Sequence, residues 1–125
     1  MHHTDFIYVK KVKGKGRGVF AKVPFAEGAV IEQVPVLLIP VKTLVGGRDN
    51  PVLKKYFYEW DKENVAVCLG FGSLYNHSYE PNAYYEHGPM VVNYYALRDI
   101  AKDEEITINY NWLSDDQTPV GFDVV

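Results

Sequence analysis

Short runs of β-branched and aromatic residues, separated by Gly, Pro and Asn, are the feature of this sequence that most constrains its fold. No segment shows the spacing of a long amphipathic helix. Runs of this kind are typical of strands that end in tight turns. We therefore predict a mainly β domain, with strands in segments 6–12, 19–21, 29–39, 65–69, 83–86, 91–97 and 106–110.

The segments between these runs carry residues that break strands. In Lys13–Gly18, three of the last five residues are glycines, which predicts a tight or extended loop. Pro24–Gly28 predicts a turn, and His87–Pro89 predicts the turn of a hairpin. Pro35, inside the longest run, predicts an edge strand or a bulge because proline cannot donate to a strand ladder. Pro51–Trp60 fits either a short helix or an aromatic strand.

Length and composition indicate one globular domain. The 125 residues are 47% apolar and 23% charged, which excludes intrinsic disorder. No apolar run approaches the ~18 residues of a membrane span, and Met1–Asp5 does not resemble the start of a signal peptide. The single Cys68 excludes an intrachain disulfide and a multi-thiolate zinc site. We expect an intracellular, cytoplasmic protein with no membrane partner and no metal.

Charge and tyrosine content narrow the class of partner. The formal net charge of −3 argues against a nucleic-acid binder that relies on positive charge, and it suits a cationic partner better. Ten tyrosines are many for a domain of this size. Buried phenols need hydrogen-bond partners, so these side chains are expected either to be paired in the core or to line a site.

Two segments carry the polar side chains most typical of a functional site. Asn76–Asn82 places Asn, His, Ser and a second Asn in seven positions, directly after an apolar strand. Such side chains bind backbone groups or a polar ligand, and an Asx-rich surface turn explains this string alone equally well. Asp103–Tyr110 is an acidic turn that enters a β-branched strand ending in Tyr. Alone, it predicts only an exposed turn followed by a buried strand.

Taken together with Gly16–Gly18, these segments resemble the SET domain family of protein lysine methyltransferases. The motifs are Gly-x-Gly at 16–18, Asn-His-Ser-x-x-Pro-Asn at 76–82 and Glu-Ile-Thr-Ile-x-Tyr at 105–110. The resemblance extends from Tyr8 to about Trp112, and the chain is as short as the stand-alone viral and bacterial members. It implies small curved β-sheets with a C-terminal pseudoknot. It also implies one domain over 1–125, with a core of about 6–112 and a tail, 113–125, that could close over the site.

The resemblance implies S-adenosyl-L-methionine-dependent methyl transfer to the ε-amine of a protein lysine. Tyr110 matches the catalytic tyrosine of the family. The residues implied for cofactor binding are Lys15, Gly16, Arg17, Gly18, Asn76 and His77, with Trp112 and Phe122 as aromatic candidates for the lid. The walls of the lysine channel are assigned to Tyr56, Tyr58, Tyr85 and Tyr110, because aromatic walls exclude water and disfavour an ammonium ion.

The chain departs from the family pattern at several places. Tyr79 stands where Cys is frequent, Asn109 stands where Asp is frequent, and the cysteine-rich zinc-binding flanks are missing. The expected substrate is a histone or another basic protein, in a host nucleus if histones are methylated. Direct nucleic-acid contact is not expected, and a homodimer is an expectation taken from small relatives.

Two other functions stay open at this point. The first is a catalytically silent SET-like module that binds a lysine-containing peptide or the cofactor, because aromatic cages also bind methylated ammonium groups. The second is a small β scaffold that only dimerises.

Overall fold

A computed structural model describes residues 5–14 and 16–110 of the chain. Strands contain far more of these residues than helices do, so the prediction of a mainly β domain is confirmed. The strands are β1 (Ile7–Val12), β2 (Gly16–Ala21), β3 (Val30–Pro40), β4 (Phe57–Glu59), β5 (Asn64–Cys68), β6 (Asn76–His77), β7 (Ala83–Gly88), β8 (Val91–Ala96) and β9 (Glu105–Ile108). Short 3-10 helices are formed by Val41–Thr43, Gly47–Asp49, Leu53–Lys55 and Gly72–Leu74.

The larger sheet has the strand order β4-β5-β3-β8-β7, with every pair antiparallel. Its central strand, β3, pairs with β8 up to Pro35 and with β5 from Val36 onwards. Pro35 therefore lies where the strand changes partner, and its carbonyl oxygen accepts a hydrogen bond of 3.0 Å from the Leu69 amide. The prediction of an edge strand or a bulge at Pro35 is wrong: β3 is central, and its register shift lies between Val30 and Glu32.

This sheet curls until its two edge strands touch through their side chains. Tyr58 and Tyr85, on β4 and β7, form an edge-to-face pair with ring centroids 5.1 Å apart. Beyond them, the Trp60 and His87 rings lie 4.6 Å apart. Aromatic pairs of this geometry contribute beyond the area they bury, so they hold the curled shape.

The smaller sheet has the order β1-β2-β9-β6 and joins the two polar motifs. β6 pairs with β9 in parallel, with Asn76 opposite Thr107 and His77 opposite Ile108. β9 thus lies against the start of the Asn76–Asn82 segment. Threading of the chain through a loop stays a prediction.

Three local predictions need correction or refinement. Gly16–Gly18 lies in β2 and not in a loop, because Gly16 pairs with Val12 and adopts φ +80°, which glycine permits. The β7–β8 turn is formed by Pro89 and Met90, since Gly88 pairs with Val91. It therefore ends one residue later than the predicted turn at His87–Pro89. The ambiguous segment before Trp60 contains both alternatives in succession, a 3-10 helix and then a strand.

The core contains phenols as well as aliphatic side chains. Tyr75 and Tyr94 are 1% and 0% exposed, and their rings stack with centroids 4.4 Å apart. Cys68 is buried beside Tyr94, and burial raises the pKa of its thiol to about 11, as expected for an inert core residue. None of the helices in the described ranges has the length and apolarity to cross a membrane.

Asn82 fixes the loop to β9 through a buried side chain. Its Nδ2 donates to the Glu105 carbonyl oxygen at 2.7 Å and to the Glu104 carboxylate at 3.1 Å. Its Oδ1 accepts a hydrogen bond of 2.8 Å from the Thr107 amide. Since the residue is only 2% exposed, removing the amide would leave buried groups of β9 without partners.

We predict that Asn82→Ala lowers the free energy of unfolding by about 2–4 kcal/mol, because each buried group left unpaired costs about 1–3 kcal/mol. Urea denaturation measures this loss. The matched control is Asn93→Ala, which removes only an exposed contact with Gln33 and should change stability by less than about 0.5 kcal/mol. Equal effects of the two substitutions would contradict the role given to Asn82.

Candidate active site

The two polar motifs meet at Tyr110. Its backbone amide donates a hydrogen bond of 3.0 Å to Nδ1 of His77, and the two rings lie 5.1 Å apart. This contact follows from the pairing of β6 with β9, which carries Tyr110 past the buried His77 side chain. His77 and Tyr110, which the sequence assigned to cofactor binding and to catalysis, therefore lie in one place.

The Tyr110 side chain is held at its hydroxyl as well. The hydroxyl donates to the backbone carbonyl oxygen of Tyr75, and the Tyr110 carbonyl accepts a hydrogen bond of 3.1 Å from the Tyr85 hydroxyl. Burial, with smaller contributions from the nearby Glu105 and Tyr56, raises the pKa of Tyr110 to about 12. The phenol is therefore neutral at physiological pH and acts as a hydrogen-bond donor rather than a base.

The tyrosines predicted to line a lysine channel lie in one cluster. Tyr58 is buried, donates to the Gly72 carbonyl oxygen at 2.8 Å and packs edge-on against Tyr85. Burial is the main cause that raises the pKa of Tyr58 well above its usual value, and both Tyr85 and Tyr110 contribute. Tyr56 is 40% exposed, so it lies at the surface end of the cluster. Their role as channel walls stays a prediction.

The predicted cofactor residues on β2 and β6 are also neighbours. Nδ2 of Asn76 donates to the Arg17 carbonyl oxygen at 2.9 Å and to the Glu105 carboxylate at 2.7 Å. A Cβ on Gly18 would lie 2.5 Å from Oε2 of Glu105 and 2.9 Å from Nδ2 of Asn76. The missing side chain at position 18 is thus required by the Asn76–Glu105 pair. A Cβ on Gly16 would instead have no atom of the other described residues within 4 Å.

Some predicted residues cannot be placed, and some residues of the site were missed. Lys15, Trp112 and Phe122 lie outside the described residues. Sequence reasoning treated Glu105 as part of a solvated turn, whereas it is the partner of Asn76. It gave no role to Tyr75, whose carbonyl oxygen receives the Tyr110 hydroxyl. Position 75 directly precedes the Asn-His-Ser motif, which was the one available signal. Within 5–14 and 16–110, no three His, Cys, Asp or Glu side chains form a group suited to a metal.

We predict that Gly18→Ala displaces the Asn76–Glu105 pair without unfolding the domain. Two of the three atoms nearest the new methyl group, Oε2 of Glu105 and Nδ2 of Asn76, end flexible side chains and lie closer than the third, Cγ2 of Val12 at 3.0 Å. These two side chains therefore move before the backbone does. In ¹⁵N-labelled protein, the Asn76 side-chain amide resonances should shift. Gly88→Ala is the control, since its Cβ would meet only Cγ2 of Val91, at 3.3 Å on the other sheet. An unshifted Asn76 signal in Gly18→Ala would refute the close contact.

Known proteins share both the sequence pattern and this architecture. Residues 16–111 match the family model of the SET domain. A Schizosaccharomyces pombe histone-lysine N-methyltransferase specific for H3 lysine-37 is 34% identical over 113 residues, which cover 86% of this chain and 77% of that protein. The Arabidopsis thaliana histone-lysine N-methyltransferase ATX2 is 34% identical over 82% of this chain, which spans only 10% of that longer protein.

A solved structure agrees with the sequence comparisons. The crystal structure of a Plasmodium falciparum protein described as a candidate histone methyltransferase superposes with a TM-score of 0.71 at 36% identity. The match covers 84% of this chain and 92% of that one. The resemblance inferred from the three motifs is thus confirmed, and the chain belongs to the SET domain family of protein-lysine methyltransferases.

Proposed function

We propose that the protein transfers a methyl group from S-adenosyl-L-methionine to the ε-amine of a lysine in a histone or another basic protein. The observation that carries this proposal is the fixed position of Tyr110, whose hydroxyl and backbone amide are bound by Tyr75 and His77 within a cluster of buried phenols. The names of the relatives, which are histone-lysine methyltransferases, support a histone as substrate.

The residues around Asn76 fit the methionine part of such a cofactor. Both donor hydrogens of Asn76 are directed at Arg17 and Glu105, which leaves the amide oxygen to accept from an ammonium group. The Arg17 side chain is a cation suited to a carboxylate, and the open space beside Gly16 admits a ligand close to the backbone. The cofactor, when bound, supplies a methyl carbon on a cationic sulfur. Transfer forms an N–C bond and breaks the C–S bond, whose electron pair stays on sulfur.

The chain's own contribution is to orient the amine and to keep it neutral. A lysine has a pKa of about 10.4 in water, and only its neutral form has the lone pair that the reaction needs. Walls built from Tyr58, Tyr85 and Tyr110 exclude water and favour the neutral amine, whose proton leaves to solvent. The neutral Tyr110 hydroxyl orients the reacting groups, and alignment of this kind can supply roughly 7–11 kcal/mol of the barrier.

The remaining parts of the proposal concern the partner and the place of action. The net charge of −3 suits a basic protein substrate. A histone substrate would require an intracellular, nuclear location. A homodimer, and the single-domain organisation with its core and tail, stay predictions.

We predict that Tyr110→Phe lowers kcat for a lysine-containing histone peptide by about 100-fold or more, because one positioned donor is typically worth 10²–10³ in rate. Binding of S-adenosylmethionine, measured by titration calorimetry, should change by less than about threefold. The control Tyr84→Phe alters a phenol that stacks on Tyr95 away from the site, and its kcat should stay within about twofold of wild type. Unchanged turnover in Tyr110→Phe would remove this residue from catalysis. Wild-type protein that binds the cofactor but methylates no peptide would favour the silent module.

The pH dependence of kcat gives an independent prediction. Since the pKa of Tyr110 is raised to about 12, its phenol stays protonated from pH 7 to pH 10. In that range, kcat should rise or level off with deprotonation of the substrate amine and should show no fall caused by Tyr110. Steady-state rates at saturating peptide measure this profile. A decrease between pH 8 and pH 10 that disappears in Tyr110→Phe would contradict the raised pKa.

A further inference from the structure

Glu32 is a carboxylic acid in the interior of the larger sheet, and the proposed chemistry leaves it without a role. It lies on β3 and is 2% exposed, between apolar residues that include Ile31 and Val34. Removing a carboxyl group from water is costly unless hydrogen bonds compensate it. An apolar residue would fill this position at a lower cost. The hydrogen bonds of Glu32 must therefore account for a carboxyl group at this place.

Both oxygens of the carboxylate bind the segment that leads into the site. Oε1 accepts a hydrogen bond of 2.8 Å from the Tyr75 hydroxyl, and Oε2 accepts one of 3.1 Å from the Phe71 amide. The segment turns tightly around the carboxylate, because a Cβ on Gly70 would lie 2.8 Å from Oε2 and Gly70 has φ +60°. Glu32 therefore fixes residues 70–75 from inside the sheet.

Tyr75 links this carboxylate to the catalytic tyrosine. Its ring is 1% exposed and stacks on Tyr94, so the side chain is rigid between its two ends. The hydroxyl end is bound to Glu32, and the backbone carbonyl at the other end accepts the hydrogen bond from the Tyr110 hydroxyl. Tyr75 thus connects Glu32 to Tyr110 through one hydrogen bond at each of its ends.

We infer that Glu32 is a positioning residue for methyl transfer: by binding the Tyr75 hydroxyl, it fixes the carbonyl oxygen that orients the Tyr110 hydroxyl. The inference rests on the proposed function, since it assigns Glu32 to the catalytic step and not only to folding. A shift of about 1 Å in a reacting group can lower a rate about 100-fold, so a loosened Tyr75 carbonyl should reduce kcat.

The substitution Glu32→Gln tests this inference with little change of volume. The Tyr75 hydroxyl and the Phe71 amide donate to different oxygens of Glu32, and in a glutamine one of these two oxygens is replaced by an NH2 group that donates instead of accepting. We expect kcat for the histone peptide to fall about tenfold or more, while KM for the peptide and Kd for S-adenosylmethionine stay within about twofold. Glu86→Gln is the matched control, because Glu86 is exposed on β7, and its kinetic constants should not change.

Tyr75→Phe removes the hydroxyl that Glu32 binds and should lower kcat to a similar extent. If Glu32 acts through Tyr75, the double variant Glu32→Gln/Tyr75→Phe should be no slower than the slower single variant, and the two losses should not multiply. All rates are compared at one temperature, about 15 °C below the lowest Tm among the variants, so that lost stability is not read as lost catalysis. If Glu32→Gln does not fold, Tyr75→Phe still tests the connection.

A spectroscopic measurement separates this inference from the proposed function. In protein labelled with ¹³Cζ-tyrosine, the Tyr110 resonance should shift in Glu32→Gln and not in Glu86→Gln, whether or not the enzyme turns over. A wild-type protein without methyl transfer would refute the proposed function, and the Tyr110 signal would still test the connection. Normal kcat in folded Glu32→Gln, or multiplicative losses in the double variant, would overturn the inference even when Tyr110→Phe is inactive.

Discussion

The parallel pairing of β6 with β9 is the contact on which the rest of the site depends. It joins only two residues of β6 to β9, so the backbone ladder alone holds it weakly. Buried side chains reinforce it, with the Asn82 amide bound to β9 and the His77 ring bound to the amide of Tyr110. Because the side chains of Asn82 and His77 are buried, losing either of them leaves polar atoms without these partners. The geometry of the candidate active site and the stability of the fold therefore rest on the same few hydrogen bonds.

Buried phenols give the site its second property, which is rigidity without charge. Tyr58, Tyr75 and Tyr94 all have pKa values raised mainly by burial, so all three stay neutral at physiological pH. Their hydroxyls are satisfied inside the protein: Tyr58 binds the Gly72 carbonyl, Tyr94 lies 3.0 Å from Tyr58, and Tyr75 binds Glu32. Packed rings with fixed hydroxyls have few ways to rearrange, so they give the surroundings of Tyr110 a rigid and dry support.

Local patterns in the sequence predicted much of this structure, because they are set by local physics. The strand segments follow from β-branched and aromatic runs, and the polar motifs identified Asn76, His77 and Tyr110, which the fold brings together. What the sequence could not indicate are contacts between distant residues. The change of partner at Pro35 depends on the neighbours of β3, and the bond between Glu32 and Tyr75 spans 43 positions. In the sequence, Glu105 cannot be told apart from other acidic turn residues, because its neighbours Gly18 and Asn76 lie on the distant strands β2 and β6.

The distance along the chain between His77 and Tyr110 has a consequence for biosynthesis. The two residues are 33 positions apart, and between them lie β7 and β8, which pair with each other and with β3 in the larger sheet. β9 follows all strands of the larger sheet along the chain, so synthesis makes it available after them. During translation, the larger sheet can assemble while the C-terminal residues are still inside the ribosomal tunnel. Under the proposed function, the site would then be completed only when β9 and Tyr110 leave the tunnel, after the strands of the larger sheet.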